Sequence, residues 1–298
     1  MNDRTLRDLN QGQRERLAFI EFRLWFLGEV RRPDLMDRFG IAPAVATRDL
    51  AAYREMAPDN IGFDGRRKVY IPAEGFQPVF PHETERVLSA LSRGFGEGLG
   101  RASAGFLPCD FPLRLNQPPL PVLAVITRAI HQRCAVRLIY HSLNTGPSAR
   151  VILPLALVDS GLRWHARVFD RTSSEFRDLV ITRMEAPQLL EREGIAPHEQ
   201  LDRDIQWTRI LTLELRPHPD QQRPEIVARD FGMTGERLVL NVRAAIAGYV
   251  LQQWNVDCSP DHSLDPRRYR LWLKDPLVLY GVENAALAPG YRAPGDNP

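Results

Sequence analysis

The sequence predicts a multidomain α+β protein in three parts: helices closed by a hairpin, then short antiparallel strands, then strands alternating with helices. Three observations predict it. Residues 14–72 carry helical periodicity that ends at a turn with a basic tip. From Ala135 the apolar spacing changes from helical to alternating. From Trp207 onward strand-like and helix-like runs take turns, as in a small α/β sandwich. A chain of 298 residues is also longer than one ordinary domain.

The first part is organised around Arg32 to Pro72. The segment Pro33 to Phe39 reads as a short helix, Gly40-Ile41 as a tight turn, and Ala42 to Tyr53 as a second helix. Asn60 to Pro72 reads as a hairpin turning at Asp64-Gly65. Helix, turn, helix and hairpin in that order make a winged helix-turn-helix, which holds one helix in the DNA major groove. Leu35, Phe39 and Ile41 have the spacing of a buried stripe crossing the turn. Gly40 lies where the chain leaves the helix with positive φ, and Pro43 in the first turn of the second helix, where a missing N–H costs nothing. On that helix Ala46, Leu50 and Tyr53 face inward at i, i+4 and i+7. Ala44, Thr47, Arg48 and Ala51 remain for the outer face: small residues for close approach, a threonine for a phosphate or base edge, an arginine to fork onto guanine. Arg66, Arg67 and Lys68 place three cations on the wing, where phosphates would lie. Arg32, Pro43, Ala44, Thr47, Arg48, Arg66, Arg67 and Lys68 are the expected DNA-binding residues. A small helical domain with a solvated basic loop is the plainer alternative.

Composition sets bounds. Apolar residues make up 44% and charged residues 26%, as in a soluble globular protein with sizeable cores. No apolar run approaches the length of a membrane span and the N-terminus has no signal-peptide pattern, so a cytoplasmic protein without membrane contact is expected. Cys109, Cys134 and Cys258 are odd in number and far apart, suiting neither a disulfide framework nor a zinc cluster. The net charge is +2; residues 1–72 hold 13 basic and 11 acidic residues, and the remainder is neutral with 26 of each. Only Lys68 and Lys274 are lysines, so an arginine by itself marks little in this chain.

The rest follows in order. Residues 14–30 form an amphipathic helix with Leu17, Ile20, Leu24 and Leu27 on its inner stripe. Phe19, Phe22 and Phe26 widen that stripe, so a second helix or a partner subunit is expected against it. Residues 73–81 read as a linker and 82–99 as a helix bearing Val87, Leu88 and Leu91, decaying into a glycine-rich tail from Gly94 to Gly105. Residues 106–121 carry five prolines and connect domains. A helix runs from Pro121 to Arg133 with Val122, Val125, Ile126 and Ile130 inward. Strands are expected at 135–143, 149–158, 162–169 and 175–184, a small, strongly bent sheet or partial barrel. After a polar segment come strand 207–215, helix 219–230, strand 237–243, helix 244–254 and strand 269–273. The expected domains are 1–80, a helical linker 81–120, 121–190 and 191–298.

The runs Leu138 to Ser142, Arg150 to Pro154, Arg163 to Asp170 and Phe176 to Arg183 resemble, as an ordered set, the WYL domain. That domain is an Sm-like β-barrel that follows a winged helix-turn-helix in bacterial transcription regulators. The run Trp164-His165-Ala166-Arg167 and the layout of the whole chain look closest to the BrxR/CapW-type regulators that sit with phage-defence operons. The name-giving Trp-Tyr-Leu triplet is here Trp164-His165-Ala166. The resemblance implies an effector-binding patch on the barrel, repression, and a C-terminal extension used for dimer contacts and ligand closure.

Read from the residues alone, Trp164, Ala166 and Val168 point one way, into the core, and His165, Arg167 and Phe169 the other. Leu138, Tyr140 and Ser142 share a face; Arg150 opens the second strand, and Arg177 and Arg183 flank the fourth. Brought together, Tyr140, Ser142, Arg150, His165, Arg167, Arg177 and Arg183 would line a cationic, hydroxyl-rich pocket for a phosphate, a nucleotide or a nucleic-acid end. The alternative is that Asp170, Glu175 and Asp178 pair these arginines on a solvated face.

Enzymatic chemistry finds no motif: no glycine-rich phosphate loop, no His-Glu-x-x-His, no G-x-S-x-G and no CxxC pair, and no cofactor or metal is expected. His218, between two prolines, reads as loop punctuation. The expected protein is a DNA-binding regulator, a homodimer on palindromic double-stranded DNA, since one recognition helix reads too few base pairs to be specific. It would answer to a nucleotide or nucleic-acid effector. An activator of the same layout, and an RNA- or single-strand-binding protein using the barrel, are the alternatives.

Overall fold

The computed structural model describes residues 9–94, 105–113, 115–191 and 193–293. It divides into two compact units, Met1–Phe111 and Pro112–Pro298. The predicted glycine-rich tail lies, apart from Gly94 and Gly105, outside the described residues. Among those described, no helix is long and apolar enough to cross a membrane.

In the first unit, α1 (Gln11–Phe22) is capped by Asn10, whose side chain accepts from the Gln13 N–H at 2.9 Å. It runs on into a π-helical turn, Arg23–Leu27, which ends at Gly28 with φ +75°. Helix α2 (Arg32–Phe39) stops at Gly40, left-handed at φ +61°. Helix α3 (Pro43–Met56) starts on its proline. Strands β1 (Ile61–Asp64) and β2 (Val69–Pro72) form the wing, and Val30 bridges to Tyr70 as a third, minimal strand. The turn differs from the expected two-residue one. Four residues, Gly65 to Lys68, span it; the Asp64 carboxylate accepts from the N–H groups of Arg66 (2.9 Å) and Arg67 (3.1 Å). The left-handed residue is Lys68, at φ +52°. A charged residue thus takes the strained position that the Asp-Gly pair promised to glycine.

The phenylalanines that widen the first helix are met inside the chain. Phe22 packs against Val87 and Ala90 of α4 (Thr84–Arg93), with Phe26, Leu27 and Phe106 around them. Leu88, expected with the apolar side of that helix, is exposed.

At the centre of this unit is a carboxylate that periodicity did not flag. Glu21 is fully buried. It accepts from the Tyr53 hydroxyl (2.9 Å), the N–H groups of Val79 and Phe80 (2.8 Å each) and is 3.0 Å from His82 Nε2. Asn60 extends the network, donating to Tyr53 (3.1 Å) and Gln77 O (2.6 Å) and accepting from Gln77 N–H (2.8 Å). One acid therefore ties α1 to α3 and to the segment after the wing. Burial and the neighbouring Glu21 carboxylate, against the opposing hydrogen bond from Asn60, leave the Tyr53 hydroxyl far above its ordinary pKa, so it stays a donor. A second link is the Arg16 fork onto buried Asp49, at 2.5 and 3.3 Å.

In the second unit, α5 (Leu120–Gln132) lays Ile126 and Ala129 on a five-stranded antiparallel sheet. Its strands are β3 (Ala135–Ser142), β4 (Gly146–Asp159), β5 (Trp164–Asp170), β6 (Glu175–Val180) and β7 (Met184–Leu190), in the order β6-β5-β4-β3-β7. Two expectations need correction. The fourth run ends at Val180, and a 3-10 turn, Ile181–Arg183, swings the chain into a fifth strand paired with β3. The sheet is also open: among the described residues no ladder joins its edges β6 and β7, so the closed Sm-like barrel is not seen.

The rest of the unit is a four-stranded sheet, order β10-β11-β8-β9, from β8 (Ile210–Pro217), β9 (Leu238–Arg243), β10 (Val256–Asp257) and β11 (Leu271–Leu273). Leu211, Leu213 and Leu215 alternate onto one face of β8 and meet Val227 of α7 (Pro224–Asp230) and Ala244, Ala247 and Leu251 of α8 (Ala244–Gln253). Trp207, expected in the strand, sits instead in the single helical turn Ile205–Thr208, labelled α6, which Asp204 caps. His218 is more than punctuation. It is buried; its Nδ1 accepts from the Asp220 N–H (3.2 Å), so its Nε2 carries the proton toward Asp257 Oδ2 (3.2 Å).

Glu21→Ala leaves a phenol, two amides and an imidazole without their acceptor. We expect it to lower the local stability of the first unit by about 3 kcal/mol, and Glu21→Gln by roughly half of that. Amide hydrogen exchange over residues 11–22 measures this; a loss near zero for Glu21→Ala contradicts the central role of the network.

Candidate functional site

Two surfaces carry the predicted residues. On the first unit, α3 buries Ala46, Asp49, Leu50 and Tyr53, which leaves Pro43, Ala44, Thr47, Arg48 and Ala51 exposed along the other side. The Thr47 hydroxyl donates back to Pro43 O at 3.0 Å and keeps its lone pairs outward. Arg48 has no ion pair among the described residues. Arg32 is exposed in the first turn of α2. Arg66, Arg67 and Lys68 are exposed on the wing, but they are not equivalent: Arg67 is held by Glu29, which also takes Arg31 at 2.9 Å. Arg66 and Lys68 make no ion pair among the described residues, so they are the wing cations without an acid partner.

In the second unit a cleft of about 770 Å³ opens between strands β3 to β6 and the segments around α6 and α8. Five of the seven predicted ligand residues line it: Tyr140, Ser142, Arg150, Arg167 and Arg177. His165 and Arg183 are not brought there. Strand β5 is buried on both faces, so His165 packs its ring on that of Tyr249 (centroids 5.1 Å, 24° apart). Arg183 sits in the corner between β6 and β7.

The cleft is less cationic than the sequence predicts, because each of the three predicted arginines that line it, Arg150, Arg167 and Arg177, has an acid. Arg150 pairs with buried Asp170 and lies over the Tyr140 ring at 5.4 Å; Arg177 pairs with its strand neighbour Glu175. The Tyr140 hydroxyl accepts from Val180 N–H at 3.3 Å, and Ser142 caps the next turn by accepting from Asn144 (3.2 Å) and Thr145 (3.3 Å).

Arg167 is the hub. Its side chain is 2% exposed. Nε and Nη2 fork onto Asp204 (2.6 and 2.9 Å), Nη1 reaches Asp178 (3.3 Å), and one oxygen of Glu283 faces Nη1 and Nη2 at 3.3 Å each. Asp178 also accepts from the Tyr249 hydroxyl at 3.0 Å. Burial opposes the charge on Arg167, but its bonds to Asp204 and the nearby acids outweigh that and hold it firmly protonated. Burial lifts Asp178 above the usual carboxylate range, against the pull of Arg167.

The residues the sequence reading missed come from the far side of the cleft: Arg203, Gln206, Tyr249, Glu283 and Asn284. Close packing places them. Gly248 lies where a Cβ would meet Asn284 O at 2.0 Å; its N–H donates to Asn284 Oδ1 (3.0 Å), and Asn284 Nδ2 donates to Ala245 O (2.6 Å). Gln206 donates to Gly281 O at 2.8 Å. The available signal was Gly248-Tyr249 inside the otherwise apolar run of α8: a glycine where backbone approaches, beside a phenol that needs a partner.

Comparison with known proteins gives the family. Models for the BrxR transcriptional regulator winged helix-turn-helix domain, the WYL domain and the BrxR C-terminal dimerization domain match residues 12–93, 121–189 and 210–279. The DNA-binding transcriptional repressor CapW of Escherichia coli (strain KTE188) is 31% identical over 284 residues, 91% of this chain and 92% of its own. The chain belongs to the BrxR/CapW family of WYL-domain regulators. The CapW repressors of Pseudomonas aeruginosa and Stenotrophomonas maltophilia are each 32% identical, over 83% of this chain and 84% of their own. Among solved structures, proteasome accessory factor B/C of Arthrobacter aurescens matches 93% of this chain, which spans about half (46%) of that one, at 15% identity and a TM-score of 0.26.

In this CapW relative His165 takes the second position of the family triplet, and its burial has a measurable consequence. Its Nδ1 has no hydrogen-bond partner among the described residues. Burial, with Arg163 nearby, pushes its pKa down from 6.5 to about 4. The unfolded chain therefore takes up the proton first, and stability is lost as pH falls from about 6.5 to about 4. We expect His165→Phe, which keeps the ring against Tyr249, to lose about 2 kcal/mol less than wild type between pH 7.5 and pH 5 in urea titrations. Identical losses would show that His165 does not titrate in this way.

Proposed function

We propose that this chain is a homodimeric, sequence-specific DNA-binding transcriptional repressor of a phage-defence operon, acting in the cytoplasm, with a nucleotide or nucleic-acid effector bound at the cleft of its WYL part. The observation that carries the reading is the open side of α3. A helix anchored by Ala46, Leu50, Tyr53 and the Arg16–Asp49 fork leaves Ala44, Thr47, Arg48 and Ala51 uncovered. Small residues around one arginine and one threonine let a helix sit close to base edges. The two cations of the wing that lack acids, Arg66 and Lys68, supply sequence-independent phosphate contacts, and Arg67 joins them if it exchanges Glu29 for a phosphate.

Dimerisation and repression come from the relatives. The family model matched at residues 210–279 is that of a dimerization domain, and the relatives are named as repressors. Two recognition helices on a palindrome supply the specificity that one lacks, and occupancy of a promoter suffices to block transcription. The effector reading is supported by the cleft, its size and the five predicted residues on its wall.

The test is a gel shift on the DNA upstream of the chain's own gene, with and without nucleotides or single-stranded oligonucleotides. We expect Arg48→Ala to relax sequence preference by about 1–3 kcal/mol at one base position. Neutralising Arg66, Arg67 and Lys68 together is expected to weaken binding to every duplex and to lower its salt dependence. An equal loss on all sequences for Arg48→Ala removes it from base reading. Duplex binding retained without residues 1–80 would favour the other reading, in which the WYL part is the nucleic-acid surface.

A further inference from the structure

The cleft contains one acid that is placed unlike the others. Asp204 forks onto Arg167 at 2.6 and 2.9 Å, is 1% exposed, and also caps α6 through the N–H groups of Gln206 (3.0 Å) and Trp207 (3.2 Å). Asp178 is 9% exposed and shared with Tyr249. Neither can leave without stranding a buried partner. Glu283 is 54% exposed, holds Arg167 through a single oxygen at 3.3 Å, and its carboxylate makes no other hydrogen bond or ion pair among the described residues. Three carboxylates thus surround one guanidinium. Two already over-neutralise it, and the third adds repulsion to a cluster that burial makes hostile to negative charge.

We infer that Glu283 is an internal competitor for an anionic effector: its carboxylate occupies the outer edge of the Arg167 guanidinium, where a phosphate group of the effector binds by displacing it. This rests on the proposal that the cleft holds an effector. The edge formed by Nη1 and Nη2 presents two parallel donors, the geometry that a phosphate accepts in a bidentate manner. Arg203, exposed on the same cleft and without an ion pair among the described residues, offers a second cation to the incoming group.

Displacement requires no unfolding. The backbone at 281–284 is held by other bonds: Gln206 Nε2 to Gly281 O (2.8 Å), Glu283 N–H to Gln206 Oε1 (3.3 Å), and the Asn284 clasp on Gly248 and Ala245. The Glu283 side chain swings into solvent while its backbone stays clasped. Glu283 then sets the effector concentration at which the cleft fills, since each binding event must first expel a bound carboxylate. A neutral ligand gains nothing from that exchange, so the same glutamate also selects for anions.

The experiment is isothermal titration of the full-length protein at fixed ionic strength with three probes: inorganic pyrophosphate, a nucleoside diphosphate, and a hexathymidylate single strand. Glu283→Gln keeps the shape and a hydrogen-bonding group but removes the charge. Glu225→Gln removes a charge from the same unit outside the cleft, beside Arg223. For at least one probe we expect Glu283→Gln to bind roughly tenfold tighter than wild type, and Glu225→Gln within about twofold of wild type. The probe that responds distinguishes a free nucleotide from a nucleic-acid strand as the source of the phosphate. A probe that binds wild type and both variants alike, or that gains equally from both substitutions, overturns the role of Glu283 and leaves the effector reading standing. Failure of every probe to bind all three proteins overturns both.

Discussion

A charge taken out of water must be matched, and each unit of this protein is arranged around one such match. In the first unit the charge is the Glu21 carboxylate, with four donors drawn from α3, from the backbone after the wing and from His82. In the second it is the Arg167 guanidinium, with acids drawn from strand β6, from the cap of α6 and from the strap that ends at Asn284. Apolar packing alone tolerates small slides between elements; a buried charge does not, because a slide of an ångström leaves it desolvated and unpaired. These two networks therefore define where the elements stop relative to one another within each unit, while the leucine-rich clusters supply the bulk of the burial.

The same rule separates the arginines that can act from those that cannot. Arg16, Arg150 and Arg167 are spent on buried acids, and Arg177 on a neighbour along its own strand. Arg48, Arg66, Lys68 and Arg203 are some of the cations that have no such partner among the described residues. In a chain with 37 arginines, the presence of one says little, but the absence of an acid beside it says a good deal. Three of these four cations lie on α3 and the wing, where an anion would meet a free cation without prior rearrangement, whereas at Arg167 in the cleft it would first have to displace an acid.

How much of this was legible follows from what each feature depends on. The helix-turn-helix was legible because its signals are local: Gly40 must be left-handed, Pro43 must start a helix, and Ala46, Leu50 and Tyr53 recur at helical spacing. The wing was legible in place but not in form, since the Asp64 side chain, satisfying two backbone amides, stabilises a four-residue turn over the tighter one. Strand β7 was missed because Met184 to Leu190 carries Pro187 and weak alternation, and its pairing to β3 is a long-range choice. His165 and Arg167 were read together on the wall of one pocket because alternation assumes one face turned away from the core; β5 is an interior strand covered on both faces, and only Arg167 reaches the cleft. The far wall of the cleft was illegible for a stronger reason: Arg167 meets Asp204 and Glu283 across 37 and 116 residues of chain, a distance over which spacing carries no information.

Under the proposed effector reading, that separation in sequence also suits the cleft to control. An effector shifts an equilibrium only by the difference between its affinities for two states. A preformed, purely cationic pocket would bind an anion tightly in any state and shift little. A pocket whose cation is already satisfied by acids from other segments must exchange partners to accept a ligand, and every exchange changes what those segments hold. Coupling of about 1–3 kcal/mol is typical of such linked sites. In this chain Glu283, the partner proposed to exchange, belongs to residues 281–284, clasped on α8 at Gly248, and α8 follows directly from the edge strand β9 of the sheet that the dimerization-domain match covers. An effector bound as proposed would therefore be connected to that sheet through one helix and one backbone clasp.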